Sequence, residues 1–323
     1  MKNDYSEIQL TPVTQAAEQP AQAVSPGSKS LWIEAGKNVF RNPSAIIGMI
    51  IIGALLLIAA AAPLIATHDP VLSMIGQPGE TGRLPSKPPC IPLFGCEDAL
   101  HILGLDLNAR DLFSRVIFGT RTSLLVGIVT VSLSVVVGTA LGITAGYAGG
   151  WVDNVIMRLM DVILAFPALL LAISIVTILG PGLTNALFGI TITFIPQYAR
   201  LSRASTLSLK EQEFITAERA LGASPFRIVL EHILPNAITP IIVQGTLGIG
   251  TAVLDAAALS FLGLGAQPPM PEWGQILSES RNYVFTSPHL VFFPGLAIMI
   301  TVLGFNLLGD GMRDALDPRL NRK

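Results

Sequence analysis

Charge is scarce in this chain. Asp, Glu, Lys and Arg make up 13% of its 323 residues, about half the share of an ordinary soluble domain. The formal net charge is −2, and no basic cluster with interleaved aromatics is present, which excludes a nucleic-acid surface. Histidine and cysteine are sparse as well. His68, His101, His232 and His289 are scattered, with no H-E-x-x-H and no Cys/His cluster at zinc spacing. A G-x-S-x-G elbow is missing. The only Gly-Lys pair, Gly36-Lys37, is followed by Asn38, and Leu31 stands where a phosphate loop needs its first glycine. The chain is therefore expected to bind no ATP, no cofactor and no metal, and to catalyse no reaction.

Apolar residues fill the space that charge leaves. They make up 51% of the chain, and the mean hydropathy is +0.60. Uninterrupted apolar runs of about 20 residues are long enough to cross a bilayer. Six spans are predicted, near Ala45–Ala66, Ser123–Ala145, Val155–Leu179, Ala186–Ser202, Ala237–Gly263 and Leu290–Leu308. The fold class expected is an all-α membrane protein. Residues 1–30 are polar and rich in Ala, Gln, Pro and Ser, and read as a disordered tail. The first apolar run starts too far from Met1, and is too long, for a cleavable signal peptide, so 31–66 reads as an N-terminal segment with a retained span. An outer loop follows over 67–120, then a core over 121–309 that includes a polar loop at 205–236, and a tail over 310–323. With the N-terminus inside, 13 of the 20 Lys and Arg fall on the cytoplasmic side and 6 on the outer side, Arg158 lying within the third span. The bias places both termini in the cytoplasm.

The polar stretch Ser208–Asn236, SLKEQEFITAERALGASPFRIVLEHILPN, interrupts the apolar pattern. Ser208-x-x-Glu211 has the form of a capping box and predicts a helix start. Gly222 predicts a left-handed helix end. Ser224-Pro225 predicts a new N-cap and first helical position. Leu234-Pro235 predicts an end or a bend. A helix–glycine–helix hairpin on a membrane protein is a handle for a soluble partner.

This stretch resembles the cytoplasmic loop of ABC importer permeases, with Gly222 and Leu234-Pro235 at the family's spacing. Ala217 fits the Ala-rich start of that motif, while Thr216 and Glu218 replace its usual Glu and second Ala. His101–Gly127, Gly146–Pro167, Leu254–Gly274 and Gly309–Leu320 extend the resemblance to the dipeptide/oligopeptide permease family, over nearly everything from Trp32 onward. Ala109 stands where that family usually has Gly, and Leu105 where it often has Thr. The resemblance implies a type I ABC importer permease fold in the bacterial cytoplasmic membrane. It also implies a heterodimer with a second permease, two cytoplasmic ATPase subunits that hydrolyse ATP, and an extracytoplasmic solute-binding protein. Thr216, Ala217, Glu218, Arg219, Gly222, Ala223, Ser224 and Pro235 are the residues expected to carry the ATPase contact, mechanically and not chemically.

Other residues have two readings each. Arg158 and Asp161 sit three apart at the start of the third span, as a structural ion pair or as pathway charges. Asp255 lies within the fifth span, lining the pathway or pairing with the second permease. If Asp161 and Asp255 were coupling carboxylates, the chain would instead be a self-sufficient ion-coupled carrier. Gly138, Gly142, Gly146 and Gly150 form a small-residue stripe for close packing, fixed or sliding. Pro167 and Pro196 mark static kinks or hinges. In the outer loop, His101–Gly119 has apolar residues at near-helical spacing and predicts an amphipathic element at the interface. Cys90 and Cys96, on a disulfide-permissive side, are a bridge or free thiols. Trp273 is expected as an interfacial anchor or as part of a docking surface, the anchor being favoured.

Overall fold

The computed structural model describes residues 37–78, 85–90 and 100–316. The tail over 1–30, Cys96 and residues 317–323 lie outside them. The named elements among the described residues are helices, linked by turns and isolated bridges. They are α1 (Pro43–Ile65), α2 (Leu112–Ala148), α3 (Gly150–Leu164), α4 (Ala168–Leu179), α5 (Leu183–Lys210), α6 (Glu213–Ala220), α7 (Pro225–Phe261), α8 (Trp273–Ser280) and α9 (His289–Leu316).

Helix starts follow local chemistry. Asn42 caps α1, accepting from the backbone N–H of Ser44 and Ala45, and Pro43 takes the first position, where its missing N–H costs nothing. Asp111 caps α2 through Ser114 N–H at 2.8 Å. Glu272, fully buried, caps α8 through the N–H of Gly274 and Gln275.

Helices α1, α2, α7 and α9 are each long and apolar enough to cross a membrane. The predicted third span is not one helix. It is α3 and α4, which meet at an 89° bend and pass as a span only together. Pro167 breaks the helix at this point, because it has no N–H to donate and its ring disfavours helical geometry at Phe166. Helix α5 has 28 residues, enough length to cross, but Arg200, Arg203 and Lys210 in its second half lower its apolarity.

The packing of α2 against α5 forms the centre of the molecule. Ser134 Oγ donates to the Thr191 carbonyl at 3.0 Å, and Ser202 meets Thr139 at 3.3 Å. The predicted small-residue groove is present at Gly138, Gly142 and Gly146. A Cβ at Gly138 would lie 2.7 Å from the Ile195 carbonyl oxygen, and one at Gly142 would strike the Ala199 carbonyl. Gly150 is not part of the groove. It has φ +55°, with no neighbouring atom within 4 Å of where a Cβ would stand, and with Gly149 it turns the chain into α3. On one side of this pair Val126, Val131, Ile190, Tyr198, Ala252 and Leu259 bring α7 into the same core. On the other, Gly304 and Gly311 of α9 let it pack closely on α1.

Two expectations for the outer region change. Val116 and Ile117 do not belong to a separate interfacial element. They open a single 37-residue helix, about 55 Å long at 1.5 Å per residue. Trp273 is fully buried. Its ring sits on Gly119, and its Nε1–H donates to the Val116 carbonyl at 3.0 Å. It is a core residue, not an interfacial anchor. A buried polar network fastens α8 to the head of α2, with Arg110 to Glu279 at 2.6 Å and Arg115 to Gln275 at 2.9 Å.

Candidate functional site

The hairpin between α5 and α7 takes shape from its residues. The capping-box expectation fails: Ser208 lies in the last turn of α5, and Glu211 is that helix's C-terminal cap. The next helix, α6, begins after Gln212. Gly222 ends it with φ +83°. Ala223 N–H donates to the Glu218 carbonyl and Gly222 N–H to the Arg219 carbonyl, both at 3.0 Å. This is the Schellman arrangement that a left-handed glycine makes. Ser224 then caps α7, accepting from Arg227 N–H at 3.3 Å, with Pro225 at the first position. Pro235 does not end the helix. A π turn over Ile228–Ile233 precedes it, with Leu234 N–H reaching back to the Val229 carbonyl, and α7 continues to Phe261. The extra residue in the turn absorbs the bond that proline cannot make.

One buried side chain anchors α6. Ile215 packs with Ile228 and Ile233 of α7, against Tyr147 at the end of α2 and Leu209 at the end of α5. Arg219 lies over the Tyr147 ring at 5.8 Å, and His232 faces Glu218 at 3.6 Å. Lys210 Nζ donates to the Gly146 carbonyl at 3.3 Å. The hairpin is thus fixed to the same ends of α2, α5 and α7.

Its outer surface is left uncovered. Thr216, Ala217, Arg219, Gly222, Ser224 and Pro235 are exposed, and Glu218 and Ala223 are half-buried. All eight predicted residues sit on or beside this small element. Sequence reading missed the exposed apolar side chains among them, Leu221 at 83% and Phe226 at 73% exposure. It also missed the anchors Ile215 and Tyr147, since Tyr147 is 68 positions from Ile215 in the chain. Beneath Phe226, an apolar hollow of about 790 Å³ opens between α2 and α7, lined in part by Ile143, Tyr147, Val229 and Leu234.

The charges are placed differently from expectation. Asp161 does not pair with Arg158. It binds Arg200 of α5 at 2.6 Å, and Asp153 holds Arg203 through two bonds, the longer 2.6 Å. Helices α3 and α5 run side by side here, so cross-helix partners come closer than the same-helix one. Arg158 is exposed and in no ion pair among the described residues. Asp255 stands apart from these. It lies on α7, half-buried, on the stripe with Thr251, Leu254 and Leu262 that the other helices leave uncovered. Cys90 is disulfide-bonded, while the chain's other cysteine, Cys96, lies outside the described residues.

Residues 138–322 match the family described as binding-protein-dependent transport system inner membrane component. Residues 30–89 match the N-terminal TM domain of oligopeptide transport permease C. The chain is 47% identical, over 99% of both sequences, to the dipeptide transport system permease protein DppC of Alkalihalophilus pseudofirmus. It is 51% identical to the glutathione transport system permease protein GsiD of Pectobacterium atrosepticum, over 68% of this chain and 73% of the relative. A chain of the MetNI methionine ABC transporter in an inward-facing conformation shares the fold at TM-score 0.53 and 21% identity, covering 64% of this chain and 98% of its own.

Proposed function

The chain belongs to the binding-protein-dependent ABC permeases of the dipeptide/oligopeptide import group, and from that premise we propose that it moves short peptides across the bacterial cytoplasmic membrane by alternating access. The energy comes from ATP hydrolysed on two separate cytoplasmic subunits. A second, homologous permease completes the pathway, and an extracytoplasmic binding protein delivers the cargo. The chain crosses the membrane six times, with α3 and α4 together as the third crossing and α5 as the fourth, and both termini lie in the cytoplasm.

The anchoring of Ile215 against Tyr147, Leu209 and Ile228 is the observation that best supports this reading. A push on α6 is delivered at once to the ends of three long helices, and close packing transmits displacement instead of absorbing it. The exposed Leu221 and Phe226, beside Arg219 and Glu218, suit an apolar socket with a polar rim on the ATPase. The rival reading as an ion-coupled carrier is weakened, because Asp161 is paired with Arg200 at 2.6 Å.

Purification from native membranes in mild detergent, with mass spectrometry and an ATPase assay, tests the proposal. Recovery of a second permease, ATPase subunits and a binding protein, with peptide-stimulated hydrolysis, is the expected result. A chain recovered alone that moves solute in liposomes without ATP would overturn it.

A further inference from the structure

The fold gathers three side chains that the sequence leaves 33 and 10 positions apart: His68 just past α1, His101 in the outer loop, and Asp111 at the head of α2. We propose that His68, His101 and Asp111 form a binding site for a divalent transition-metal ion of the zinc class. The potential ligand atoms of the three all lie within 4.8 Å of one another. Asp111 Oδ1 is 2.9 Å from His101 Nδ1 and 3.8 Å from His68 Nδ1. Metal bonds of about 2.0–2.1 Å at tetrahedral angles set ligand atoms about 3.3 Å apart. The two carboxylate–imidazole distances bracket that value and the third separation is at most 4.8 Å, so side-chain shifts of about an ångström would seat the ion. Two imidazoles and one carboxylate suit zinc, cobalt or nickel and not calcium or magnesium, which demand oxygen ligands.

The surroundings hold the donors in place. Asp111 Oδ2 accepts from Ser114 N–H at 2.8 Å and from Thr67 Oγ1 at 3.3 Å. The His68 backbone N–H donates to Ser114 Oγ at 3.0 Å, and its Nδ1 lies 3.0 Å from Thr67 Oγ1. Such supporting bonds orient metal ligands. The side chains of His101 and Asp111 are sealed, while that of His68 is 29% exposed.

A simpler arrangement uses the same atoms: His101 donates to Asp111 and only steadies the cap of α2. A metal would exchange that hydrogen bond for two coordinate bonds, the Nδ1 proton of His101 being released as the nitrogen binds the ion. The ion would then clamp the end of α1, the outer loop and the start of α2 to one another.

The test is Co²⁺ and Zn²⁺ titration of the full chain in detergent, purified on a tag without histidine. We expect stoichiometric binding with the visible d–d absorption of tetrahedral Co²⁺, and competition by Zn²⁺. His68→Gln and, separately, His101→Gln should each weaken it at least about tenfold, while His232→Gln should leave it unchanged. Gln at position 101 can still donate to Asp111, and size-exclusion behaviour and helical content would verify that each variant is folded. No Co²⁺ signal from the folded chain, or a signal that survives both cluster variants, would overturn the proposal.

Discussion

At the residue scale, a few side chains carry consequences beyond their size. Gly222 holds φ +83° with its N–H bonded to the Arg219 carbonyl. Proline there removes that bond and requires a φ near −65°. We expect Gly222→Pro, and likewise Glu218→Lys with Arg219→Glu, to abolish peptide uptake while the amount of chain in the membrane fraction stays normal. Full uptake by a correctly inserted variant would sink the assignment of the hairpin. Ile215 is the one buried residue of α6. Truncation of a buried Ile to Ala costs about 2–5 kcal/mol, a large loss for an eight-residue helix. Limited proteolysis of Ile215→Ala should therefore cut between 210 and 225 while the rest of the chain stays protected. Asp255 separates its two roles by assay. We propose that it lines the pathway, so Asp255→Asn should lower uptake with the second permease still co-purifying. Loss of that partner from the preparation would instead make Asp255 a subunit contact.

The decisive element is the α2–α5 pair. Gly138, Gly142 and Gly146 recur at four-residue spacing, and each faces backbone or a small side chain of α5. In a membrane, where lipid offers no hydrophobic advantage to association, such close approach supplies dispersion contacts instead. Gly142→Leu must displace the Ala199 carbonyl and should lower thermal stability by several degrees in a detergent melt. Gly53, in α1, has open space on its side-chain face, and Gly53→Leu should leave the melt nearly unchanged. Equal effects at the two sites would mean the groove is not a packing interface. The bend between α3 and α4 belongs to this scale too. Pro167 was legible as a kink, but an 89° turn depends on what α4 packs against, and local propensity does not specify that.

At the scale of the whole molecule, the hairpin at one end and the Trp273 clasp at the other grip the same helix, α2, through Tyr147 and Val116. Displacement at the hairpin is therefore expected to reach the outer end through one continuous helix. The proposed topology puts residues 37 and 316 on one side and Thr286 on the other. Cysteine introduced at Lys37 and at Arg313 should be labelled by a membrane-impermeant thiol reagent only after the cells are opened, and cysteine at the exposed Thr286 in intact cells. Labelling of Lys37→Cys in intact cells would reverse the orientation.

Family, helical class and the hairpin's turns were legible in the sequence, because each depends on neighbours within a few residues. Gly222 needs only its own missing Cβ, Ser224-Pro225 only the next three amides, and the long spans only their run of apolar side chains. Ser208-x-x-Glu211 misled because α5 was already helical when it reached Ser208, and packing of Thr206 on Gly146 outweighs a capping signal. Which carboxylate meets which arginine, that Trp273 turns inward onto Gly119, that Ile215 lands on Tyr147 and that His68 meets His101 were decided by tertiary structure alone. Each of those contacts joins residues from different helices or loops, and its energy depends on the distance between them, which no local preference contains.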